Sequence, residues 1–174
     1  KKNFLLGNVG TPAISFLSDY EKINTINNKL YIVAEFSSYQ TETSVRLKPH
    51  IAIFLNLEED HLARHGSMEN YAKAKAKLFE NQSSSDFAII NKDDEYFEYM
   101  IAASNAEHCF ISRGLSVQEN QSYAFIDEID FKIICKISER VYVYYCEDSQ
   151  LIGLHNMYNT ASVILGLMIL EFSD

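Results

Sequence analysis

The sequence predicts an α/β fold in which a mainly parallel sheet is flanked by helices, with a small antiparallel sheet in the second half of the chain. In the first half, short apolar runs alternate with helical patterns, which is typical of parallel strands joined by crossover helices. In the second half, three strand-like runs are separated only by short polar turns, which suits antiparallel hairpins. These three strands are expected to form an appended edge or a small flanking sheet.

The predicted elements follow one another along the chain. Strands are expected at residues 3–6, 30–34, 51–55, 87–90, 123–126, 131–137 and 141–146. Helices are expected from Thr11 after a glycine turn, from Ser67, which is a good N-cap residue, and from Asp93. A last helix, over residues 155–171, is apolar over most of its girth and is therefore expected in the core. A chain of 174 residues without an evident linker fits one domain.

The composition argues against several classes of protein. A net charge of −9 disfavours binding to nucleic acid, whose phosphates require a positive surface. Three widely spaced cysteines form neither a disulfide framework nor a Cys-x-x-Cys site, as is usual in a reducing compartment. No apolar run approaches the ~20 residues of a membrane span. We therefore expect a globular cytoplasmic protein that binds neither nucleic acid nor a membrane.

Lys75 is the most unusual residue of its predicted helix. It lies four residues after Tyr71 in the apolar stripe, whereas Lys73 and Lys77 are predicted to point outward. One interpretation is a lysine that extends its amine to solvent or pairs with a carboxylate. The other is that burial lowers the pKa of the amine, so that the amine is neutral and can react.

Polar residues follow two predicted strands, where the functional residues of open α/β sheets collect. Glu35 ends one strand, where a carboxylate can hold Mg²⁺, a cation that prefers oxygen ligands, or can cap the short helix that follows. His61 follows the strand at 51–55 and is a candidate site residue. His61 and His65 are spaced like a zinc pair, but no third ligand follows with metal spacing, so surface histidines are the simpler interpretation.

Two helix starts carry groups that suit ligand binding. The glycine turn at residues 7–12 leads into a helix with Pro12 at a favourable first position, and its amides could bind an anion or form only a tight turn. This turn is not a Walker P-loop, since the chain contains no Gly-Lys-Ser/Thr. Asn156 and Asn159 are three residues apart at the start of the last helix and can face one ligand edge, the alternative being that Asn156 caps the helix.

The order of these motifs resembles the central, ATP-binding domain of the Mur ligases, a fold related to that of the P-loop NTPases. The similar segments are Gly-Asn-Val-Gly-Thr-Pro (7–12), Ala-Glu-Phe-Ser-Ser-Tyr-Gln (34–40), Leu-Lys-Pro-His-Ile-Ala (47–52), Asn-Leu-x-x-Asp-His-Leu-x-Arg-His-Gly (56–66), Tyr-x-x-Ala-Lys (71–75) and Gly-x-His-Asn-x-x-Asn (153–159). Within the family, the second of these segments most resembles the branch that adds D-glutamate to UDP-N-acetylmuramoyl-L-alanine. The resemblance is weakest between about residues 109 and 150.

The resemblance implies an ATP-dependent ligase of peptidoglycan synthesis that forms an amide through an acyl phosphate. Carried over residue by residue, the catalytic and metal-binding set would be Glu35, His61 and Lys75. Glu35 and His61 would each hold a Mg²⁺, and Lys75 would react with carbon dioxide to give a carbamate, which is an anionic oxygen ligand.

The remaining carried-over residues concern the substrates. Asn8 and Ser37 would contact the muramoyl substrate, UDP-N-acetylmuramoyl-L-alanine. Asn156 and Asn159 would bind the adenine of ATP. D-glutamate is the third substrate that the resemblance implies.

Two departures from the family pattern matter. Ala63 stands where the family usually has Asp, so any contact of that carboxylate is absent. The resemblance also places the P-loop and an N-terminal UDP-binding domain before Lys1, and a C-terminal domain that binds D-glutamate after Asp174. We therefore expect the chain as given to be a partial central domain that is inactive alone.

Two alternatives stay open at this point. Another Mur-type ligase, or the related folylpolyglutamate synthase, would use similar metal ligands, although the Ser-Ser-Tyr-Gln segment at 37–40 argues against both. A non-catalytic module could also have kept the fold without the P-loop. The joint presence of Glu35, His61 and Lys75 argues against such a module.

Overall fold

The computed structural model describes residues 2–8, 11–12, 15, 30–60, 62–114, 121–147, 149–151 and 153–172. The chain forms two compact units, Lys1–Ser44 and Val45–Asp174, and each is described by itself. The expectation of a single domain stays a prediction.

The first unit contains two parallel strands and a short helix. Strand β1 (Lys2–Gly7) pairs with β2 (Leu30–Glu35) along its whole length, from Lys2↔Leu30 to Gly7↔Glu35. Helix α1 (Ser38–Thr43) follows β2. Both predicted strands are thereby confirmed, whereas most of the helix predicted from Thr11 lies outside the described residues.

The second unit is built on one six-stranded sheet with the order β3-β4-β5-β6-β7-β8. The strands are β3 (Ile51–Phe54), β4 (Phe87–Asn91), β5 (Glu107–Ser112), β6 (Ser122–Asp127), β7 (Lys132–Ile137) and β8 (Arg140–Tyr145). Strands β3 to β6 are parallel, and β6, β7 and β8 are antiparallel. Because β6 continues the parallel ladder from β5, the three late strands are the appended edge of this sheet and not a separate flanking sheet.

Strand β5 has no counterpart among the predicted strands. Its apolar part is only Cys109–Phe110–Ile111, preceded by two polar residues, so the run is too short to show a strand pattern. In the structure these three residues are buried at the centre of the sheet. The strand is therefore defined by its neighbours β4 and β6 more than by its own sequence.

The described part of this unit contains four helices, namely α2 (Leu62–His65), α3 (Met68–Ala76), α4 (Phe97–Ala103) and α5 (Leu154–Phe172). Ser67 caps α3, its hydroxyl accepting the amide of Asn70 at 3.2 Å, as predicted. Helix α4 begins at Phe97 and not at Asp93. The Asp94 carboxylate accepts the amide of Tyr96 at 2.8 Å, which holds a turn before the helix.

The helices cover both faces of the sheet. Helix α5 packs on one face, where the core includes Ile89, Ile111, Ile133, Ala161 and Leu165. Helices α3 and α4 pack on the other face of β3, β4 and β5, where the core includes Ala72, Phe79, Ile90, Met100 and Phe110. The alternation of Ile89 and Ile90 between these two clusters is the period of two expected for a sheet buried on both sides.

Helix α5 differs from its prediction in one respect. Its extent agrees with the predicted helix at 155–171, but it is packed on one face only, since Val163 and Leu167 are 56% and 57% exposed. Apolar residues therefore lie on both the buried and the exposed face of this helix. Among the described residues, none of the helices combines the length and the apolar character needed to cross a membrane.

Candidate functional site

The first unit brings Asn8 and Glu35 into contact. Strands β1 and β2 run parallel with Gly7 opposite Glu35, so their carboxyl ends meet. The side-chain amide of Asn8 donates to Oε1 of Glu35 at 3.1 Å, and the backbone amide of Asn8 donates to the Glu35 carbonyl at 2.9 Å. Two residues that were predicted for different tasks, substrate and metal binding, therefore lie side by side on the surface of this unit.

Gly7 makes this close approach possible. Its φ of +104° is in the left-handed region, and a Cβ at this position would lie 2.2 Å from the carbonyl oxygen of Glu35. Only glycine fits such a contact between two backbones. The amide of Gly7 also donates to the carbonyl of Thr11 at 3.0 Å. Residues 9 and 10 lie outside the described residues, so the anion-binding and tight-turn interpretations of residues 7–12 stay predictions.

Ser37 is the N-cap of α1. Its hydroxyl accepts the amide of Gln40, while the Gln40 side chain accepts the amide of Ser37 at 2.9 Å, which completes a capping box. The alternative that Glu35 caps this helix is therefore wrong. Oε1 of Glu35 is bound to Asn8, and in the described part of the chain no hydrogen bond to Oε2 is found.

Lys75 is half-buried on α3, between the buried residues Ala74 and Ala76. Its amine lies 5.9 Å from the centroid of the Tyr71 ring. Lys73 is exposed, as predicted, but Lys77 is half-buried because it is the C-cap residue of α3 and does not project from its middle. Lys75 is thus partly withdrawn from solvent, less completely than its place in the apolar stripe suggested.

The two histidines of the predicted pair have different outcomes. His61 lies outside the described residues. His65 is buried and stacks on Tyr71 with ring centroids 5.1 Å apart and an interplanar angle of 15°, so the interpretation of a surface histidine is wrong for His65. Its position at the end of α2, next to the first turns of α3, explains this burial.

The second unit contains a cavity of about 510 Å³ at the carboxyl ends of β3, β4 and β5 and beside the first turns of α5. The cavity is lined by Leu55, Asn56, Glu58, Asn91, Asp93, Asp94, Arg113, Leu154, His155, Tyr158 and Asn159. Asn159, which was predicted to bind nucleotide, is among them. Its amide donates to Oδ1 of Asn156 at 3.4 Å, so the two predicted asparagines are in contact. The backbone amide of Asn156 donates to the carbonyl of Gly153. Asn156 therefore lies inside the first turn of α5 and is not its N-cap.

Asn91, Asp93 and Asp94 were missed by the sequence analysis as site residues, although Asn91 ends β4 and the two aspartates follow it at the same edge. The Asn91 side chain donates to the carbonyl of Leu55 at 2.6 Å, and Asp94 accepts the amide of Leu57 at 2.8 Å, so both shape the loop after β3. The position rule that selected Glu35 and His61, polar residues just past a strand, would also have found these three residues.

Asp93 accepts hydrogen bonds from two other elements. Tyr158 of α5 donates its hydroxyl to Oδ2 at 2.5 Å, the amide of Arg113 donates to the same oxygen at 2.8 Å, and Ser112 donates to Oδ1 at 2.8 Å. Partial burial acts to raise the pKa of Asp93, but these hydrogen bonds outweigh it and hold the pKa below its ordinary value. Asp93 is therefore an anion on the cavity wall at neutral pH.

A second bonded carboxylate, Asp86, lies at the opposite, amino end of β4. It accepts the amide of Ser83 at 2.9 Å and the Ser83 hydroxyl at 2.8 Å, and it lies 3.3 Å from the Lys48 amine and 3.2 Å from Nδ1 of His50. Burial acts to raise the pKa of Asp86, but these partners lower it well below its usual range. None of these residues lines the cavity.

Comparison with known proteins identifies the family of this chain. A family model described as the Mur ligase middle domain matches residues 13–167. The chain belongs to the Mur ligase family. The match covers most of both units, including strand β2 and the cavity of the second unit.

Two sequence relatives of this Mur ligase domain carry the name UDP-N-acetylmuramoylalanine–D-glutamate ligase. The protein from Koribacter versatilis is 37% identical over 96% of this chain, and the one from Clostridioides difficile is 32% identical over 94%. The chain spans about a third of their length, 35% and 34% respectively.

A solved structure described as a UDP-N-acetylmuramoyl-L-alanyl-D-glutamate–2,6-diaminopimelate ligase has the same fold. It superposes on this Mur ligase domain with a TM-score of 0.58 at 20% identity, over 96% of this chain and 43% of that one. At this identity the likeness concerns the fold alone. It confirms the α/β architecture with a parallel sheet between helices.

Proposed function

We propose that this chain is the central domain of a UDP-N-acetylmuramoylalanine–D-glutamate ligase, MurD, which acts in peptidoglycan synthesis. The observation that carries the proposal is the 32% and 37% identity, over nearly the whole chain, to two proteins of that name. The matching family model and the cavity at the carboxyl end of the sheet support it.

The proposed reaction joins two substrates at the expense of ATP. The terminal carboxylate of UDP-N-acetylmuramoyl-L-alanine takes the γ-phosphoryl group of ATP, and ADP leaves. The amine of D-glutamate then attacks the carbonyl carbon of this acyl phosphate, and inorganic phosphate leaves as the amide forms and the nitrogen loses its proton.

The cavity of the second unit suits the adenine base of ATP. Its volume of about 510 Å³ lies within the roughly 300–1,000 Å³ usual for small-molecule sites. Asn159 on its wall and Asn156 beside it each carry an amide donor and acceptor, which match the amino group and ring nitrogens on the edge of adenine. Glu58, Asp93 and Asp94 face the same space, with Arg113 as the only Arg or Lys among its lining residues. Because these carboxylates repel negatively charged phosphates but not the uncharged base, we place the triphosphate outside the cavity.

The donor set at the end of β2 fits magnesium chemistry. Glu35 is an exposed carboxylate, and carboxylate oxygens are preferred ligands of Mg²⁺. We propose that Glu35 holds the ion shared with the nucleotide phosphates and that His61 holds a second one. Bound Mg²⁺ would neutralise charge on the phosphates during transfer. Among the described residues, which omit His61, there is no group of three His, Cys, Asp or Glu that could hold a metal ion.

Lys75 is proposed to carry a carbamate, formed when its amine attacks carbon dioxide and releases a proton. Lys75 is half-buried, so its amine is partly shielded from water, and carbamate formation requires this amine to lose its proton. The present contact with the face of Tyr71 suits an ammonium, because the ring face is negative. Carbamate formation is therefore expected to move the end of this side chain away from the ring.

Asn8 and Ser37 are proposed to contact the muramoyl substrate. The amide of Asn8 also steadies Glu35 through its hydrogen bond, so that substrate and metal binding would be coupled at this point. The hydroxyl of Ser37 is already used in the capping box of α1, so its contact with substrate would supplement that role.

Two further statements belong to the proposal. Cys109, Cys135 and Cys146 are buried free thiols, as expected of a cytoplasmic protein. The 174 residues contain no Gly-Lys-Ser/Thr, so we propose that the chain by itself lacks the phosphate-binding loop and does not catalyse ligation alone.

The test is a ligation assay of the full-length enzyme with UDP-N-acetylmuramoyl-L-alanine, ATP, Mg²⁺ and bicarbonate. D-glutamate is expected to be joined, whereas L-glutamate, L-lysine and meso-diaminopimelate are not. Ligation of another amino acid in preference to D-glutamate would contradict the assignment to MurD, and no ligation of any of them would favour a non-catalytic module.

A matched pair of lysine variants tests the carbamate. Lys75→Ala is expected to lower the rate by about 10²–10³-fold, the scale of losing one group that stabilises charge in the transition state. Lys73→Ala, a change at an exposed lysine of the same helix, is expected to leave the rate unchanged. Equal rates for both variants would contradict the proposed role of Lys75.

A further inference from the structure

The start of α5 is held to the sheet by a polar contact that its core packing does not require. Met157, Ala161 and Leu165 form part of the buried face of this helix in the core. The hydroxyl of Tyr158 adds a hydrogen bond to Asp93, which lies just after β4. Packing by small and flexible apolar side chains leaves some freedom of rotation about the helix axis, whereas a directed hydrogen bond restricts it.

Asp93 is itself fixed from a second direction. The amide of Arg113 and the hydroxyl of Ser112, both at the end of β5, donate to its two carboxylate oxygens at 2.8 Å. The side chain of Asp93 is 23% exposed, and these two bonds orient its carboxylate independently of α5. One carboxylate thus joins the ends of β4 and β5 to the first turns of α5.

The charge states of the two partners suit this contact. The hydrogen bonds to Asp93 keep its pKa below the ordinary value, so that it is ionised. Burial and the neighbouring Asp93 raise the pKa of Tyr158, so that the phenol keeps its proton and donates it. Hydrogen bonds from a neutral donor to a charged acceptor are stronger than those between neutral groups.

Tyr158 lies directly beside the proposed nucleotide-binding residues. It immediately precedes Asn159, which lines the cavity with it, and Asn159 in turn contacts Asn156 one turn earlier. A rotation of this turn would move both asparagine side chains together. The contact that fixes Tyr158 therefore also fixes the amide groups that would face the base.

We propose that Asp93 and Tyr158 are positioning residues for the nucleotide: their hydrogen bond sets the orientation of the first turns of α5, and with it that of Asn156 and Asn159. The inference rests on the proposed function, because it presumes that a nucleotide base occupies the cavity. It assigns no direct contact with ATP to Asp93 or Tyr158. Their effect is exerted through the two asparagines.

The experiment measures binding of a non-hydrolysable ATP analogue with Mg²⁺ to the full-length protein by calorimetry. Tyr158→Phe removes the hydroxyl and keeps the ring, and it is expected to raise the Kd by up to about tenfold, because binding must then supply the orientation that one hydrogen bond to a charged group provides in the wild type. Asp93→Asn keeps the side-chain shape and carries the same expectation. The control is Tyr142→Phe, a change at an exposed tyrosine of β8 outside the cavity lining, which is expected to leave the Kd unchanged.

Two further readouts separate positioning from a merely structural role. The KM for ATP is expected to rise in Tyr158→Phe while kcat at saturating ATP and the KM for D-glutamate stay at their wild-type values. The double variant of Asp93→Asn and Tyr158→Phe is expected to lose no more affinity than either single variant, because each removes the same bond. A purely structural role would lower the melting temperature and affect all three substrates alike.

The outcomes distinguish this inference from the proposal on which it depends. If the wild-type protein binds the analogue and both variants bind it equally well, the inference is wrong and the proposed function stands. If the wild-type protein binds no nucleotide, the proposed function fails and the inference fails with it. Additive losses in the double variant would also contradict the inference, since they would mean that Asp93 and Tyr158 act separately.

Discussion

Asp86 and Asp93 lie at opposite ends of β4, and both accept several hydrogen bonds. The partners of Asp86 come from two loops at the amino end of the sheet, and its side chain is 8% exposed. The partners of Asp93 come from β5 and α5, and its side chain stands 23% exposed on the wall of the cavity. A carboxylate thus joins two loops at the amino end of the sheet, and another lines the cavity at the carboxyl end.

The difference follows from the topology of a parallel sheet. At the amino end, the loops before β3 and β4 meet each other, and Asp86 joins them through Lys48, His50 and Ser83. At the carboxyl end, chains leave the strands in different directions, and space remains between them. A bonded carboxylate is therefore expected to contribute mainly stability at the first end and mainly ligand affinity at the second.

The largest expected effect is on stability at Asp86. Asp86→Ala leaves the half-buried amide of Ser83 without its acceptor and removes the carboxylate partner of the Ser83 hydroxyl, and it is expected to lower the free energy of unfolding by about 2–3 kcal/mol. Chemical denaturation of the full-length protein, followed by circular dichroism, measures this change. Nucleotide affinity is expected to stay at the wild-type value, and a selective loss of that affinity would contradict the assignment of a mainly stabilising role to Asp86.

Asp93→Ala is expected to have the opposite balance. Its side chain is more exposed, so water can replace part of its bonding, and we expect a stability loss of about 1 kcal/mol. Affinity for a non-hydrolysable ATP analogue should fall at the same time by about tenfold. The same denaturation and calorimetric measurements apply, and a stability loss larger than that of Asp86→Ala would contradict the assignment of roles.

The pH dependence of the free energy of unfolding is a further test of the stabilising role of Asp86. The pKa of Asp86 is lower in the folded state than in the unfolded chain, where it is about 4. Its contribution is therefore complete above about pH 4 and is lost as the pH falls toward the folded-state pKa, by about 1 kcal/mol at pH 3. The free energy of unfolding is measured between about pH 6 and about pH 3, a range that includes the unfolded-state pKa. It is expected to fall less with decreasing pH for Asp86→Asn than for the wild type. An equal fall for both proteins would contradict the prediction.

The smallest effect is expected at the outer partner of Asp86. The Lys48 side chain is 48% exposed, so its ion pair with Asp86 is screened by water. Lys48→Met is expected to cost about 0.5 kcal/mol, measured by the same denaturation of the full-length protein. A loss as large as that of Asp86→Ala would mean that the ion pair, and not the bonds from Ser83, stabilises this end of the sheet.

Much of the fold could be predicted because periodicity and capping act locally. Strands β1 to β4, the N-cap Ser67 and the extent of α5 all follow from patterns within a few residues. Strand β5 could not be found in this way, since its three apolar residues are strand-forming only between β4 and β6. The exposed face of α5, with Val163 and Leu167, likewise depends on which partners the helix meets.

The candidate site shows the same division. Position past a strand end identified Glu35, and the structure adds its contact with Asn8, which depends on the register of two strands distant in sequence. Asp93 and Tyr158 are separated by 65 positions, and no local pattern predicts their hydrogen bond. The sequence analysis gave Tyr158 no role of its own within the last helix, because its hydroxyl has a partner only in the folded chain.

We propose that the carboxyl end of this sheet holds the adenine base of ATP, and a crystal structure of the full-length protein with ADP and Mg²⁺ is the decisive experiment. The expected result is the base within the cavity beside Asn159, with the bond between Asp93 and Tyr158 intact. A base bound elsewhere, with the cavity filled only by solvent, would contradict the claim.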